Sequence, residues 1–355
     1  MKIALITDTH FGARNDSEVL ADYFEKFYLE VFFPYLKEKD ITEVIHLGDA
    51  FDRRKYINFQ SLNRCKYYFY EQIVQNDLIL HQIVGNHDTF YKNTNDVNAP
   101  RLLLNEYSGY VRVYQDPEEV TIGGKKMVFM PWICADNSDR ALELIENSSA
   151  DVLFGHLELD GFEMYRGAPH HGGMSASVFS KFHAVFSGHF HHRSSNRNIH
   201  YLGCPYEMTW SDYNDPKGFH VFDTDTNELT FVENPYRLFH KVKYNDVNWT
   251  DADYIKGFDF TDLKSTYVKV IVTNKTNPYW FDLFIDKLEK ADPIQVQIVD
   301  DNLNLDVIEE EDVFENIDDT FTILQKSIEN IPTEVDKTQL DTFLKSLYNE
   351  ALNIE

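Results

Sequence analysis

Gly48-Asp49-Ala50-Phe51-Asp52-Arg53-Arg54-Lys55 and Val84-Gly85-Asn86-His87-Asp88 are the two stretches that decide the fold. Each follows a short apolar or β-branched run, the pattern of a buried strand that ends in a sharp polar turn. Working outward, Ile3-Ala4-Leu5-Ile6 leads to Asp8-Thr9-His10, and two later runs end on Gly155-His156 and Gly188-His189-Phe190-His191. Five strands are thus expected to close on carboxylate, amide or imidazole donors, four of them with glycine directly before the donor. Loops at strand ends are where layered α/β sheets keep their chemistry. A single pair has a plainer explanation, a turn histidine or a helix-capping aspartate. Five in one chain point to a shared site.

Asp8, His10, Asp49, Asn86, His156, His189 and His191 offer seven donors and no thiolate. Mixed oxygen and nitrogen sets suit manganese, iron or zinc better than a calcium or magnesium cage. Seven donors hold two ions if one carboxylate bridges them, and Asp49 is the candidate bridge. Two ions about 3.5–4 Å apart jointly activate a water and hold a phosphoryl oxygen. His46, His81, His183 and His220 occupy strand-like positions without a neighbouring donor and read as packing or surface histidines. His170 and His171, in the run Arg166-Gly167-Ala168-Pro169-His170-His171-Gly172-Gly173, read as loop residues.

The 355 residues are enough for a full core and a second small domain, and 43% hydrophobic with 26% charged residues is ordinary for a soluble protein. No apolar run approaches the ~18 residues of a membrane span, and the chain passes from Met1-Lys2 straight into a strand. A cytoplasmic location is expected. Cys65, Cys134 and Cys204 lie far apart, with neither a disulfide framework nor a zinc-thiolate pair. The net charge of -26 argues against gripping nucleic acid through the overall field. Part of it is local, since residues 300–319 hold ten acidic residues and no basic one. With the tail set aside, residues 1–299 stay acidic, so a DNA substrate would need bound cations or a partner subunit to supply positive charge.

The organisation reads as α/β. In residues 1–236 strands alternate with amphipathic helices, among them Ser17 to Lys37 with Leu20, Phe24, Phe27, Val31 and Tyr35 at helical spacing, and Asp139 to Glu146. Gly218 to Phe222 and Leu229 to Val232 read as a closing hairpin. Residues 237–299, with Tyr267 to Val272, Trp280 to Leu288 and Ile294 to Val299, suggest a small strand-helix-strand domain. Residues 300–319 form an acidic linker. Phe321 to Ile328 and Leu340 to Leu352 are expected to be short amphipathic helices, either docking a partner through 320–355 or folding back as a hairpin.

In order, Asp-x-His, Gly-Asp-x-x-Asp, Gly-Asn-His-Asp, Gly-His and Gly-His-x-His resemble the motifs of the calcineurin-like metallophosphoesterases over residues 8–191. Within them the chain is similar to the SbcD-type double-strand-break repair nucleases of the meiotic-recombination-eleven family, above all to the T-even bacteriophage recombination endonuclease subunits. Gly48 to Lys55, Val84 to Asp88, Met130-Pro131-Trp132, Tyr201-Leu202-Gly203-Cys204-Pro205 and Asp215-Pro216-Lys217-Gly218-Phe219 carry the narrower match.

The resemblance implies a two-sheet sandwich flanked by helices, with a small α+β capping domain and a C-terminal helical tail. It implies one metal on Asp8, His10, Asp49 and His191, a second on Asp49, Asn86, His156 and His189, and His87 as general acid or transition-state stabiliser. The cofactor expected is a pair of divalent cations, Mn2+ foremost and Mg2+ as the other candidate. Many cellular relatives carry histidine where this chain has Asp52. Here Asp52 resembles the aspartate that orients the catalytic histidine in protein phosphatases, so an Asp52–His87 carboxylate pair is expected. Arg53 and Arg54 either contact substrate phosphate or are plain surface arginines. Tyr67-Tyr68-Phe69-Tyr70 cannot all face one core on a regular helix; homodimerisation through residues 60–75 and 97–107 is the expectation. The function implied is a manganese-dependent DNA exonuclease and endonuclease that processes DNA ends in recombination and repair with an ABC-type, SMC-like ATPase. The alternative is a stand-alone enzyme acting on small phosphomonoesters or phosphodiesters.

Overall fold

The computed structural model describes residues 1–300. Strands β1 (Lys2–Ile6), β2 (Glu43–His46), β3 (Ile79–Ile83) and β4 (Val111–Tyr114) run parallel in the first of two six-stranded sheets. The second sheet is built on β5 (Glu118–Ile122), β6 (Lys125–Met130) and β7 (Val152–His156). After a small hairpin of β8 (Glu163–Tyr165) and β9 (Ala168–Pro169), β10 (Ala184–Gly188), β11 (Ser194–Asn196) and β12 (Ile199–Tyr201) complete it. β13 (Gly218–Asp223) and β14 (Glu228–Glu233) return to the first sheet as the expected antiparallel hairpin beside β1. The orders are β14-β13-β1-β2-β3-β4 and β11-β12-β10-β7-β6-β5.

The period of two along each strand assigns side chains to layers. Ile3 and Leu5 of β1 face the second sheet and pack with Ile45, Phe129, Phe154 and Phe186, whereas Ala4 and Ile6 face the helices with Phe27, Phe32 and Phe69. Because β1, β2 and β3 are parallel, as are β6, β7 and β10, their C-terminal ends gather along one rim. Every donor loop starts from that rim.

The expected helix at 17–37 is a continuous helical stretch, Glu18–Phe27 and Phe33–Glu38 joined by a π-helical turn at Tyr28–Phe32. Ser17 caps it through its hydroxyl to the Leu20 N–H. A second π-helical turn, Lys66–Tyr70, settles the aromatic run: Tyr68, Phe69 and Tyr70 are all buried while Tyr67 is 50% exposed. All three rings are core because they pack around Phe11, with centroids 5.5–6.1 Å from it. Tyr68 stacks on Tyr28 with centroids 5.6 Å apart and planes 9° from parallel. The helix expected at 139–146 spans Ser138–Asn147.

Beyond the sandwich, β15 (Phe239–Asn245), β16 (Tyr267–Asn274), the helix Pro278–Glu289 and β17 (Gln295–Asp300) form a three-stranded α+β unit in the order β15-β16-β17. Tyr244, Val270, Phe281, Phe284 and Leu288 give it a hydrophobic cluster of its own, although Met1–Val299 forms one compact body. β15 escapes notice in the sequence because it is an edge strand whose intervening residues are charged or half-buried, with only Phe239 and Tyr244 fully inside. The expected linker and docking segment, 300–319 and 320–355, lie outside the described residues apart from the end of β17. No described helix is long and apolar enough to cross a membrane.

Candidate metal centre

The rim brings all seven predicted donors into one cluster. Asp8, His10 and His191 present ligand atoms within 4.8 Å of one another, and Asp49, His156 and His189 do the same. Asp49 joins the groups: its Oδ2 lies 3.2 Å from His156 Nε2 and 4.0 Å from His10 Nε2. Asn86 Oδ1 completes the second group, 2.8 Å from His156 Nε2 and 3.0 Å from His189 Nδ1. In the first, His10 Nε2 and His191 Nε2 stand 3.0 Å apart.

Local backbone geometry explains why these positions are reached. Asp8, His10, Asp49 and His189 all have positive φ, at 51°, 42°, 55° and 88°. Non-glycine residues in that region carry strain, which persists where surrounding structure over-determines it. The glycines beside them are needed for space. A Cβ on Gly85 would lie 2.2 Å from Asp49 Oδ1, and one on Gly188 would lie 2.0 Å from Thr7 Oγ1.

Hydrogen bonds fix which atoms face inward. His156 Nδ1 lies 2.8 Å from the Leu47 carbonyl and must carry the proton there, which leaves Nε2 aimed at the oxygens of Asn86 and Asp49. Acceptors that converge in this way need a cation among them, so the donor set fits a metal. Without one, a proton serves: burial opposes charge on His156, but Asp49 and Asp8 hold its pKa up at about 9. His10 is likewise held up to about 9, against burial, by Asp52, Asp49 and Asp8. His189 goes the other way, to about 3, through burial and the neighbouring His156.

His87 borders the cluster, its ring centroid 5.0 Å from that of His10, and its backbone N–H donates to Asp49 Oδ1 at 2.8 Å. The expected carboxylate pair with Asp52 is not what holds it. His87 Nδ1 donates to the backbone carbonyl of Asp52 at 2.7 Å, while the Asp52 carboxylate turns to His10 Nδ1 at 3.5 Å. The backbone sets this choice: the Asp52 N–H donates to the Phe11 carbonyl at 3.2 Å, which holds Asp52 beside the His10 loop. Arg53 is engaged elsewhere: Nη1 meets Asp16 Oδ2 at 2.6 Å and Nη2 meets Asn15 Oδ1 at 2.9 Å, beneath the ring of Tyr56. Arg54 is half-buried beside it.

Several bracing residues carry no expected role in the sequence. Asp88 is fully buried and accepts the N–H groups of Gly85, Asp49, Ala50 and Phe51 at 2.9–3.1 Å, tying the two motif loops together. His46, expected only to pack, accepts at Nδ1 from the Gly48 N–H and the Gln82 amide, so its Nε2–H faces Thr9 Oγ1 at 3.0 Å. Lys217, 2% exposed, is held by Asp212 and Asp215 and donates to the His191 carbonyl at 2.8 Å. The Trp132 ring lies 5.2 Å from that of His189. Asp88, Trp132 and Lys217 were signalled only by their places in the quoted runs Val84 to Asp88, Met130 to Trp132 and Asp215 to Phe219; nothing in the spacing reveals the role of His46. His81 bonds Tyr114 and Glu43, His220 is buried and His183 exposed. His170 pairs with Glu158 and His171 is 80% exposed, in keeping with loop roles.

A family model for calcineurin-like phosphoesterases matches residues 1–193, more than half of the chain. Exonuclease subunit 1 of Enterobacteria phage T4 is 33% identical over 99% of both chains. The chain belongs to the calcineurin-like phosphoesterase family. Two further relatives of this phosphoesterase, the D subunits of the SbcCD nucleases of Staphylococcus epidermidis and Staphylococcus saprophyticus, are each 23% identical. They align with 80% and 71% of this chain, and with 79% and 73% of their own.

Proposed function

We propose that this phosphoesterase is a metal-dependent DNA nuclease subunit that trims and cuts DNA ends during recombination and repair, with Mn2+ as its preferred ion. Two donor groups sharing Asp49 carry the phosphodiesterase part of that reading. The DNA part is supported by full-length likeness to an exonuclease subunit. Asp8, His10, Asp49 and His191 would hold one cation, and Asp49, Asn86, His156 and His189 the other. Such a pair supplies an acidified water and neutralises charge on the phosphoryl oxygens.

The chain's own groups do the rest. His87 Nδ1 donates to the Asp52 carbonyl, which leaves Nε2 as the nitrogen that, in the imidazolium form, passes a proton to the leaving oxygen. Asp52 orients His10 rather than His87. Trp132 walls off the His189 side and limits water. A division at residue 237 into nuclease and capping domains is supported by the separate hydrophobic cluster of the cap. Exposed Tyr67 and Leu102, at 50% and 67%, with Phe59 just outside at 86%, support homodimerisation through residues 60–75 and 97–107. Residues 320–355 are proposed to dock an SMC-like ATPase, which would also help an acidic subunit to engage DNA.

The purified chain with Mn2+ is expected to degrade linear duplex DNA as well as a chromogenic phosphodiester. Turnover of the small ester alone, with DNA untouched even beside the ATPase, would defeat the nuclease reading.

A further inference from the structure

Away from the metal rim, the β11–β12 and β13–β14 hairpins flank an open cavity of about 290 Å³ at the edge between the two sheets. Arg193, Ser194, His200, His220 and Phe231 contribute its polar and aromatic lining, and Leu202 and Leu229 its aliphatic wall. Arg193 lays its guanidinium 3.7 Å above the Phe231 ring, and the His220 ring lies 5.1 Å from the same phenyl. No carboxylate pairs with Arg193 among the described residues, unusual in a chain of net charge -26.

Two further groups lack partners. His220 is 3% exposed and its Nδ1 has no hydrogen-bond partner, nor has the buried Ser194 Oγ. His200 is held in place by Ser195 Oγ at 2.9 Å. Buried polar atoms are normally satisfied, so unsatisfied ones on residues that line a cavity beside an arginine without a carboxylate indicate a missing polar partner. A planar guanidinium that already stacks on an aromatic ring is preorganised to take two oxygens at once.

We infer that this cavity is a second ligand site, one that binds a small phosphate monoester of about mononucleotide size. Phosphate suits it because three terminal oxygens can accept from Arg193, Ser194 and His220 together, more than a carboxylate offers. The volume sits at the lower end of ordinary small-molecule sites and exceeds what a lone phosphate fills. The Leu202, Leu229 and Phe231 wall accommodates a ring or sugar attached to it. No donor of the metal cluster lines the cavity, so the site is independent of the nuclease reading.

The test is isothermal titration of the full chain in excess EDTA, which removes any cation-mediated binding of phosphate. Thymidine 5′-monophosphate, inorganic phosphate and thymidine serve as probes. The monophosphate is expected to bind more tightly than inorganic phosphate, with thymidine giving no signal. Arg193→Gln should weaken the monophosphate by at least about tenfold, the loss of one charge-assisted pair. Asp49→Asn should leave it unchanged. His220→Phe, a second probe, should also weaken it, provided its melting curve matches wild type. Absence of binding at millimolar monophosphate would overturn the proposal, as would equal affinity in Arg193→Gln or a loss in Asp49→Asn. Inorganic phosphate binding as tightly as the monophosphate would overturn the assignment of an ester.

Discussion

Asp52 and His87 show how a residue's partner changes its meaning. With His87 oriented by a backbone carbonyl, the Asp52 side chain faces His10 and, through it, the first of the two proposed metal positions. Asp52→Asn should therefore raise the metal concentration needed for half-maximal activity, and excess metal should restore most of the rate. His87→Ala should lose about 10²–10⁴-fold in kcat whatever the metal concentration. Activity measured over a manganese titration separates the two. An Asp52→Asn defect as deep as that of His87→Ala and equally insensitive to metal would instead support the carboxylate pair.

At the scale of elements, the strand-to-loop turns tolerate no added volume. Gly85→Ala places a methyl against Asp49 Oδ1 and, at 2.3 Å, its backbone nitrogen, so about 1–3 kcal/mol of stability should go together with tight metal binding. Urea unfolding and metal content report on both; a variant with unaltered stability and full metal would contradict the packing described. The sandwich-to-cap joint carries a second signature. Glu207 is buried and accepts the N–H groups of Leu238 and Phe239, and burial raises its pKa to about 7. A raised carboxyl pKa means the folded chain binds more protons than the unfolded one from about pH 4.3 to about 7, so this group's contribution falls as pH rises through that window. The melting temperature of Glu207→Gln should gain on wild type between pH 5 and pH 7.5; parallel curves would show that the carboxyl titrates normally.

For the whole molecule, the sandwich and the convergence of the seven candidate donors were legible because each candidate is announced locally, by a buried run and a polar turn, with a glycine in four of the five. What was not legible depends on contacts between distant segments. Lys217 reaching the His191 carbonyl, His46 bracing Thr9 and the Asp52 side chain choosing His10 leave no mark in spacing. The two π-helical turns were hidden because helical periodicity assumes a constant pitch. The aromatic run was ambiguous for the same reason: three of its rings are core, whereas Tyr67, like Phe59 and Leu102, is exposed. Phe59→Glu with Leu102→Glu should convert a dimer to a monomer in light scattering, with the metal centre unaffected. A wild-type chain that is monomeric at tens of micromolar would contradict the dimer.

The most direct test of a paired-cation centre is anomalous diffraction at the manganese edge from crystals soaked in Mn2+. Two peaks about 3.5–4 Å apart, with the Asp49 carboxylate between them, are expected. A single peak, or none while all seven side chains keep their positions, would contradict it.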